Sequence, residues 1–485
     1  MELEHSIFKR IENKREEFGL LLNAAIKDGL SKISDRVSSK KYISGYYNWP
    51  SISFRENGLP NLSSSNFQEI KEYRGCFGSK EGDIIASDIN SFTDFLKFIK
   101  SNEELESRFI MQEWKKIEGK AFVNFIDVLI YNIITNGIER YIHVYDSFEY
   151  NENKVKDIID EIQNFVFLGT LPVDIVIPIL FVNFEFESYV LSEAIEVRRL
   201  VDKEHLARCN IISNNVSVHK SVLSSATHAL VLKGWEVKNS DYDMDFNTLN
   251  DIRAYPTDRI DKFFASIRLV ENVSTGYAQI FSLAKSWIGH CKADLPYAVG
   301  ATTRSYPSNF EDYYWNIDTV PVVTNIKMDE ISKIYSLLID SEKNSIDLSV
   351  KRLNQCLVRD SEEDAVLDAT IALEALLADD GNQEMTHKLA MRIGALVNLD
   401  DCFKKSPEQA FKDVKSIYAY RSAIVHGSKK LDKKRVIKLE GDKETTTHIL
   451  AVEYLKFVLK VLLENPKYQD SKLIDSELLL GGKNV

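Results

Sequence analysis

Cysteine is scarce and poorly placed for chemistry. The 485-residue chain has five: Cys76, Cys209, Cys291, Cys356 and Cys402. They are odd in number, far apart and without CxxC spacing, which argues against a disulfide scaffold and for reduced thiols. No Cys/His group has zinc-ligand spacing, and the adjacent pair His290-Cys291 stands alone, so it is expected to be structural. Only ten prolines and 20 glycines occur, too few for long disordered segments. Long apolar runs are missing as well. The most apolar stretch, Val173 to Val182, is interrupted by Asp174 and Pro178 and is too short to cross a bilayer as a helix. It is expected to be a buried strand. The opening residues, MELEHSIFKRIENKREEF, are charged throughout and have no apolar core of signal-peptide length. A cytoplasmic protein without a membrane segment is expected. The chain also lacks a Gly-rich phosphate loop, a dinucleotide fingerprint, a nucleophile elbow, HExxH and any internal repeat. Neither a metal nor a cofactor is expected.

What is present is a globular composition, 44% hydrophobic and 28% charged, in a chain long enough for two or three domains. The net charge of −12 argues against a general coat for nucleic acid but not against a local basic site. Residues 1–165 read as mostly helical, around a Tyr/Gly/Ser/Asn-rich stretch of loops and short strands at 40–82. Apolar residues recur at helical spacing in 1–36, 87–137 and 152–165, with Ser87-Asp88 as a candidate cap. Residues 166–325 read as β-rich, a candidate sensor or regulatory region. PVDIVIPILFVNFEFE, EAIEVRRL, THALVLKGWEVK and DKFFASIRLVENV carry β-branched and aromatic runs with partial alternation. A helix is expected to start near Leu200–Leu206. Residues 326–485 read as helices with short breaks, the pattern of an antiparallel bundle. The expected class is therefore α+β multidomain, with a mixed helical and β-containing N-terminal region and an all-α C-terminal bundle.

Chemistry concentrates near one helix end, YAYRSAIVHG, residues 418–427. It holds Arg421, a permanent cation able to grip two phosphate oxygens, and His426, a group that titrates near neutrality. Five helical residues rise about 7.5 Å and turn the chain about 140° off the starting direction. The two side chains would share a face only if the helix stops near Val425, with Gly427 in the left-handed conformation that terminates helices. Phe411, Val414, Ile417, Ile424 and Val425 are the expected anchors of that helix in the bundle.

Three segments, DAVLDATIALEALL (364–377), KLAMRIGA (388–395) and IYAYRSAIVHG (417–427), in this order and spacing, resemble the Apea-like branch of the HEPN superfamily. The resemblance spans roughly residues 326–470. It implies a compact HEPN helical bundle that homodimerises or forms a higher oligomer. It further implies a metal-independent endoribonuclease with a composite dimer site, acting as a regulated toxin in anti-phage defence by abortive infection. RNA is then the substrate, and a phage-derived trigger or an antitoxin the regulatory partner. The family's catalytic Arg and His map onto Arg421 and His426. Ser422 stands where many members have Asn or another polar residue, and Glu374 is the candidate acidic partner.

Each residue has a plainer alternative. Arg421 could be a salt-bridge partner of Glu374, and His426 a helix-ending residue. Glu374 could orient Arg421 or move protons. Tyr418 could touch RNA or belong to the bundle core. Lys388 and Arg392, four apart, could reach RNA or face water. Between Lys412 and Lys438 there are nine Lys/Arg against two Asp, a local +7. Lys429, Lys430, Lys433, Lys434 and Arg435 directly follow the His426-Gly427 turn. They are candidate RNA-binding residues, or else a solvated surface loop. The rival function is a non-catalytic bundle that dimerises or binds RNA or nucleotide, with the N-terminal region carrying the activity.

Overall fold

The computed structural model describes residues 8–65, 69–109, 120–209, 211, 217–239, 248–379, 384–427, 431–438 and 444–481. The chain forms two compact units that interleave in sequence. The first is Met1–Ile179, Glu187–Tyr255 and Tyr277–Arg304; the second is Leu180–Phe186, Pro256–Gly276 and Ser305–Val485. Mixed helix and sheet fills the first, and helices dominate the second.

In the first unit, α1 (Arg15–Ser38) packs against α2 (Asn90–Lys100), α3 (Lys120–Tyr145) and α4 (Glu152–Phe167). The contact face of α1 is Phe18, Leu22, Ala25, Ile26 and Ile33, the 3.6-residue stripe expected from sequence. A hairpin of β1 (Trp49–Phe54) and β2 (Pro60–Ser65) occupies the Ser/Asn-rich stretch. The Asn151 side chain caps α4 by accepting from the Lys154 amide at 3.2 Å. Ser87-Asp88 is not a cap: it lies in a short 3-10 turn, and α2 begins at Asn90 without a side-chain cap.

The sheet of this unit has six strands. They are β3 (Thr170–Ile179), β4 (Ser188–Ser192), β5 (Ile195–Arg199), β6 (His228–Lys238), β7 (Tyr277–Ala284) and β8 (Ala298–Ser305). Their order is β8-β7-β3-β6-β5-β4. The pairs β7–β3, β3–β6, β6–β5 and β5–β4 are antiparallel. Val176 of β3 stands opposite Phe281 on one side and Val231 on the other. The run expected to be a buried strand is therefore the sheet's middle. A short helix, α5 (Asp202–Arg208), follows β5 as expected.

DKFFASIRLVENV is a correction. It is the helix α6 (Thr257–Val270), not a strand. Its aromatic and β-branched content favoured a strand, but Ile260, Phe263, Phe264 and Ile267 are buried at i, i+3, i+4 and i+7. Burial along that stripe outweighed local propensity.

The second unit joins α6 to α7 (Asn325–Asp340), α8 (Asn344–Val358), α9 (Glu362–Leu377), α10 (Met385–Leu396), α11 (Pro407–Val425) and α12 (Thr447–Glu464). Helix α12 is buried along most of its length and touches α6 through α11. Two buried acids lock helices together. Asp368 of α9 accepts from Arg359 at 2.9 Å and pairs with Arg352 of α8. Asp413 of α11, 1% exposed, accepts from the Tyr454 hydroxyl at 2.9 Å, Lys405 at 3.1 Å and Gln409 at 2.6 Å. The break expected at Gly381-Asn382 lies outside the described residues.

Candidate functional site

Helix α11 is defined at both ends by its sequence. The Ser406 hydroxyl accepts from the Gln409 amide at 3.1 Å, and Pro407 occupies the first turn, where no amide is needed. At the other end the His426 amide donates to the Ser422 carbonyl at 3.1 Å, and the Gly427 amide to that of Ile424 at 3.2 Å. Gly427 has φ +59, the left-handed stop expected there. Ala410, Val414, Ile417, Tyr418 and Ala423 face the core. Phe411 and Ile424 pack against it half-buried, but Val425 is 58% exposed and anchors nothing. It falls in the last turn, where the helix has run past the core.

Glu374 of α9 meets Arg421 of α11 at 3.4 Å between Oε1 and Nη2. Their side chains are 28% and 34% exposed, so the pair sits at the surface end of the α9–α11 seam. Tyr418, one turn earlier, places its ring 5.9 Å below the guanidinium carbon. Its hydroxyl donates to the Thr370 carbonyl at 3.4 Å, with the Glu374 carboxylate close enough to act on it by charge. Burial first, and then the Glu374 charge, hold this phenol well above the usual tyrosine range; Arg421 offsets part of the effect. At 5% exposure Tyr418 is a wall of the site and has no face free for a base. The bundle-core alternative fits it, and base stacking does not.

The Nε of Arg421 is buried without a hydrogen-bond partner among the described residues. His426 and Ser422 are exposed. Glu374, Tyr418 and Arg421 thus form one contact cluster. His426, the residue that caps the end of the same helix, makes no hydrogen bond or ion pair with these three among the described residues.

The basic run divides. Arg435 grips Glu362 with two hydrogen bonds, at 2.7 and 2.9 Å. This pairing holds the Glu362 carboxyl below its usual range. The Lys434 ammonium donates to the Ala419 carbonyl at 3.1 Å. Lys433 is exposed, and Lys429 and Lys430 lie outside the described residues. Arg392 is a further correction. It is 2% exposed and binds Asp475 at 2.8 Å and Asp379 at 2.8 Å, so it reaches neither RNA nor water. It shares a buried helix face with Leu389, Ile393 and Leu396. Lys388 of the same helix pairs with Asp379 at 3.2 Å. Asp368 was missed, although an acid inside the apolar stripe Ala365-Ala369-Ala372 signals a buried ion pair.

Among the described residues no cluster of His, Cys, Asp and Glu is arranged to hold a metal ion. None of the described helices is long and apolar enough to cross a membrane. Known proteins add nothing to this picture: no family model, no curated protein and no solved structure matches the chain.

Proposed function

We propose that the second unit is a phosphodiester-cleaving helical bundle, and more particularly a HEPN-type, metal-independent endoribonuclease. The observation that carries this is the end of α11. There Arg421 is oriented by Glu374 and Tyr418 with an unpartnered Nε, and an exposed His426 follows at a helix stop set by Gly427. These parts suit cleavage by the RNA's own 2′-OH. A histidine takes the 2′-OH proton as O2′ attacks phosphorus. The guanidinium balances charge on the phosphoryl oxygens, and the 5′-oxygen leaves with a proton. One chain offers one such histidine here; a homodimer that brings two copies together offers a base and an acid. Ser422 and Lys433, both exposed, are the candidate further contacts to the strand. The first unit restrains or triggers the nuclease, which fits a cytoplasmic toxin of anti-phage defence.

Loss of RNA cleavage in Arg421→Ala and His426→Ala, with wild-type cutting intact in a chelator, tests the proposal. Unimpaired cutting by both variants ends it. The second reading is a non-catalytic bundle that dimerises or binds RNA or nucleotide. It is favoured by one observation: Arg421, Lys434 and Arg435 all have protein partners. It predicts RNA binding without cleavage.

A further inference from the structure

Lys415, Ala419, Ser422 and the C-cap His426 fall at i, i+4, i+7 and i+11, so they line one face of α11. That face looks outward: Lys415, Ser422 and His426 are exposed and Ala419 is half-buried. Eleven helical residues rise about 16.5 Å, which sets Lys415 three turns from the histidine on the same side.

Beside Lys415 the start of α10 opens a hollow of about 520 Å³, lined by Glu384, Met385, Thr386, His387 and Lys415. That volume lies in the range of small-ligand sites. Met385 packs half-buried on the bundle core, as does Phe411 of α11. The His387 ring stands edge-on to Phe411, with centroids 5.5 Å apart, and the Lys415 ammonium lies 5.3 Å from the centre of the same ring. Neither the Lys415 ammonium nor the His387 imidazole makes a hydrogen bond or ion pair among the described residues. The neighbouring lysines differ: Lys412 is paired with Glu408 at 2.7 Å and Lys388 with Asp379 at 3.2 Å. Glu384 is the acid of the hollow and is exposed. Its carboxylate repels a phosphate from that end and accepts hydrogen bonds from an amino or imino edge.

We propose that this hollow is a nucleotide subsite for the RNA strand cut at the end of α11. Lys415 takes a phosphate, and the base lies against Met385 and His387 with its donor edge toward Glu384. The occupant follows from charge and from continuity: a free cation and an aromatic ring stand on the face that carries His426. Guanine presents two adjacent donors, N1–H and the 2-amino group, and is favoured here over uracil. At the 3.4 Å rise of a stacked strand, 16.5 Å is about five nucleotides, and about three if the strand is extended. The subsite rests on the ribonuclease reading and adds to it a strand path and a base preference.

The test is steady-state cleavage by the full chain, in chelator, of a long single-stranded RNA and of strands trimmed stepwise toward the cut from either end. Trimming one end past the subsite should raise KM about fivefold, the loss of one phosphate contact, with kcat within about twofold. Lys415→Met should raise KM on the long strand by the same factor and lower the slope of log KM against log salt by about 0.7. Its penalty should vanish on the trimmed strand, and Lys415→Arg should restore the long-strand KM. Guanine at the subsite position should give a lower KM than uracil, and Glu384→Ala should erase the difference. Lys415 and Glu384 are exposed, so neither variant disturbs the core. If wild type cuts RNA but Lys415→Met keeps its KM and salt slope, or loses as much on the trimmed strand, the subsite is refuted and the ribonuclease reading stands. Equal KM values for guanine and uracil would likewise overturn the subsite. If wild type cuts no RNA, both fall.

Discussion

Arg421 can serve a substrate only if Glu374 holds it loosely, and the structure sets how loosely. At 3.4 Å the Coulomb attraction of two unit charges is about 5 kcal/mol at an effective dielectric of 20 and about 1 kcal/mol in water. Both side chains are about one-third exposed, so solvent screening and side-chain ordering remove most of it, leaving roughly 0.2–1 kcal/mol. The perturbation is a double-mutant cycle of Arg421→Met, Glu374→Gln and both, followed by urea unfolding at pH 7. Glutamine removes the charge of Glu374 and keeps its size, so the cycle isolates the charge pair. We expect a coupling energy of about 1 kcal/mol or less, shrinking further in about 0.5 M salt. A coupling of about 3 kcal/mol or more would mean a buried structural lock. The guanidinium would then be committed to the fold and the catalytic assignment would fall.

Three other outcomes follow from the same geometry. Asp413→Ala should cost about 3–5 kcal/mol in urea melts, because it strands the Tyr454 hydroxyl and the Lys405 ammonium; a loss below about 1 kcal/mol contradicts the hub assigned to it. Gly427→Ala has open space for its β-carbon but must hold φ +59, so it should cost about 1–2 kcal/mol, and Gly427→Asn less; equal stabilities would show that the helix stop is not where it was placed. Burial, and then Arg268, push Lys456 of α12 down to about 8 folded, against 10.5 unfolded. Between those values the unfolded chain binds the extra proton, so stability rises with pH. Relative to Lys456→Met, the wild type should gain up to about 3 kcal/mol between pH 8 and 10.5. Parallel pH profiles would refute the buried amine.

Where burial and period agreed, the sequence was readable. The α11 stop is an example: the apolar stripe ended where a glycine could take a positive φ, and the structure has it there. Helix α6 was misread because Phe, Ile and Val satisfy a strand's composition and a helix's period at once. Only the packing against α7 and α8 decides between them. Arg392 was misassigned because a charged residue on an inward face is visible only once Asp379 and Asp475 are brought to it from 13 and 83 residues away. The two units could not be read from local composition, since each is assembled from segments that are separate in the chain. At the candidate site the helix end was legible from residue type and spacing, and Glu374 as the acidic partner of Arg421 came only from the family resemblance. The support from Tyr418 and the diversion of Lys434 to a helix carbonyl were not legible.

The central claim is that the end of α11 cuts RNA through the RNA's own 2′-OH. It is tested most directly by the termini of the fragments made from a single-stranded RNA in excess chelator. Wild type should yield 2′,3′-cyclic phosphate and 5′-hydroxyl ends, with the rate reduced about 100-fold or more in His426→Ala. Fragments with 5′-phosphate ends, cutting that the chelator abolishes, or a His426→Ala rate equal to wild type would contradict it.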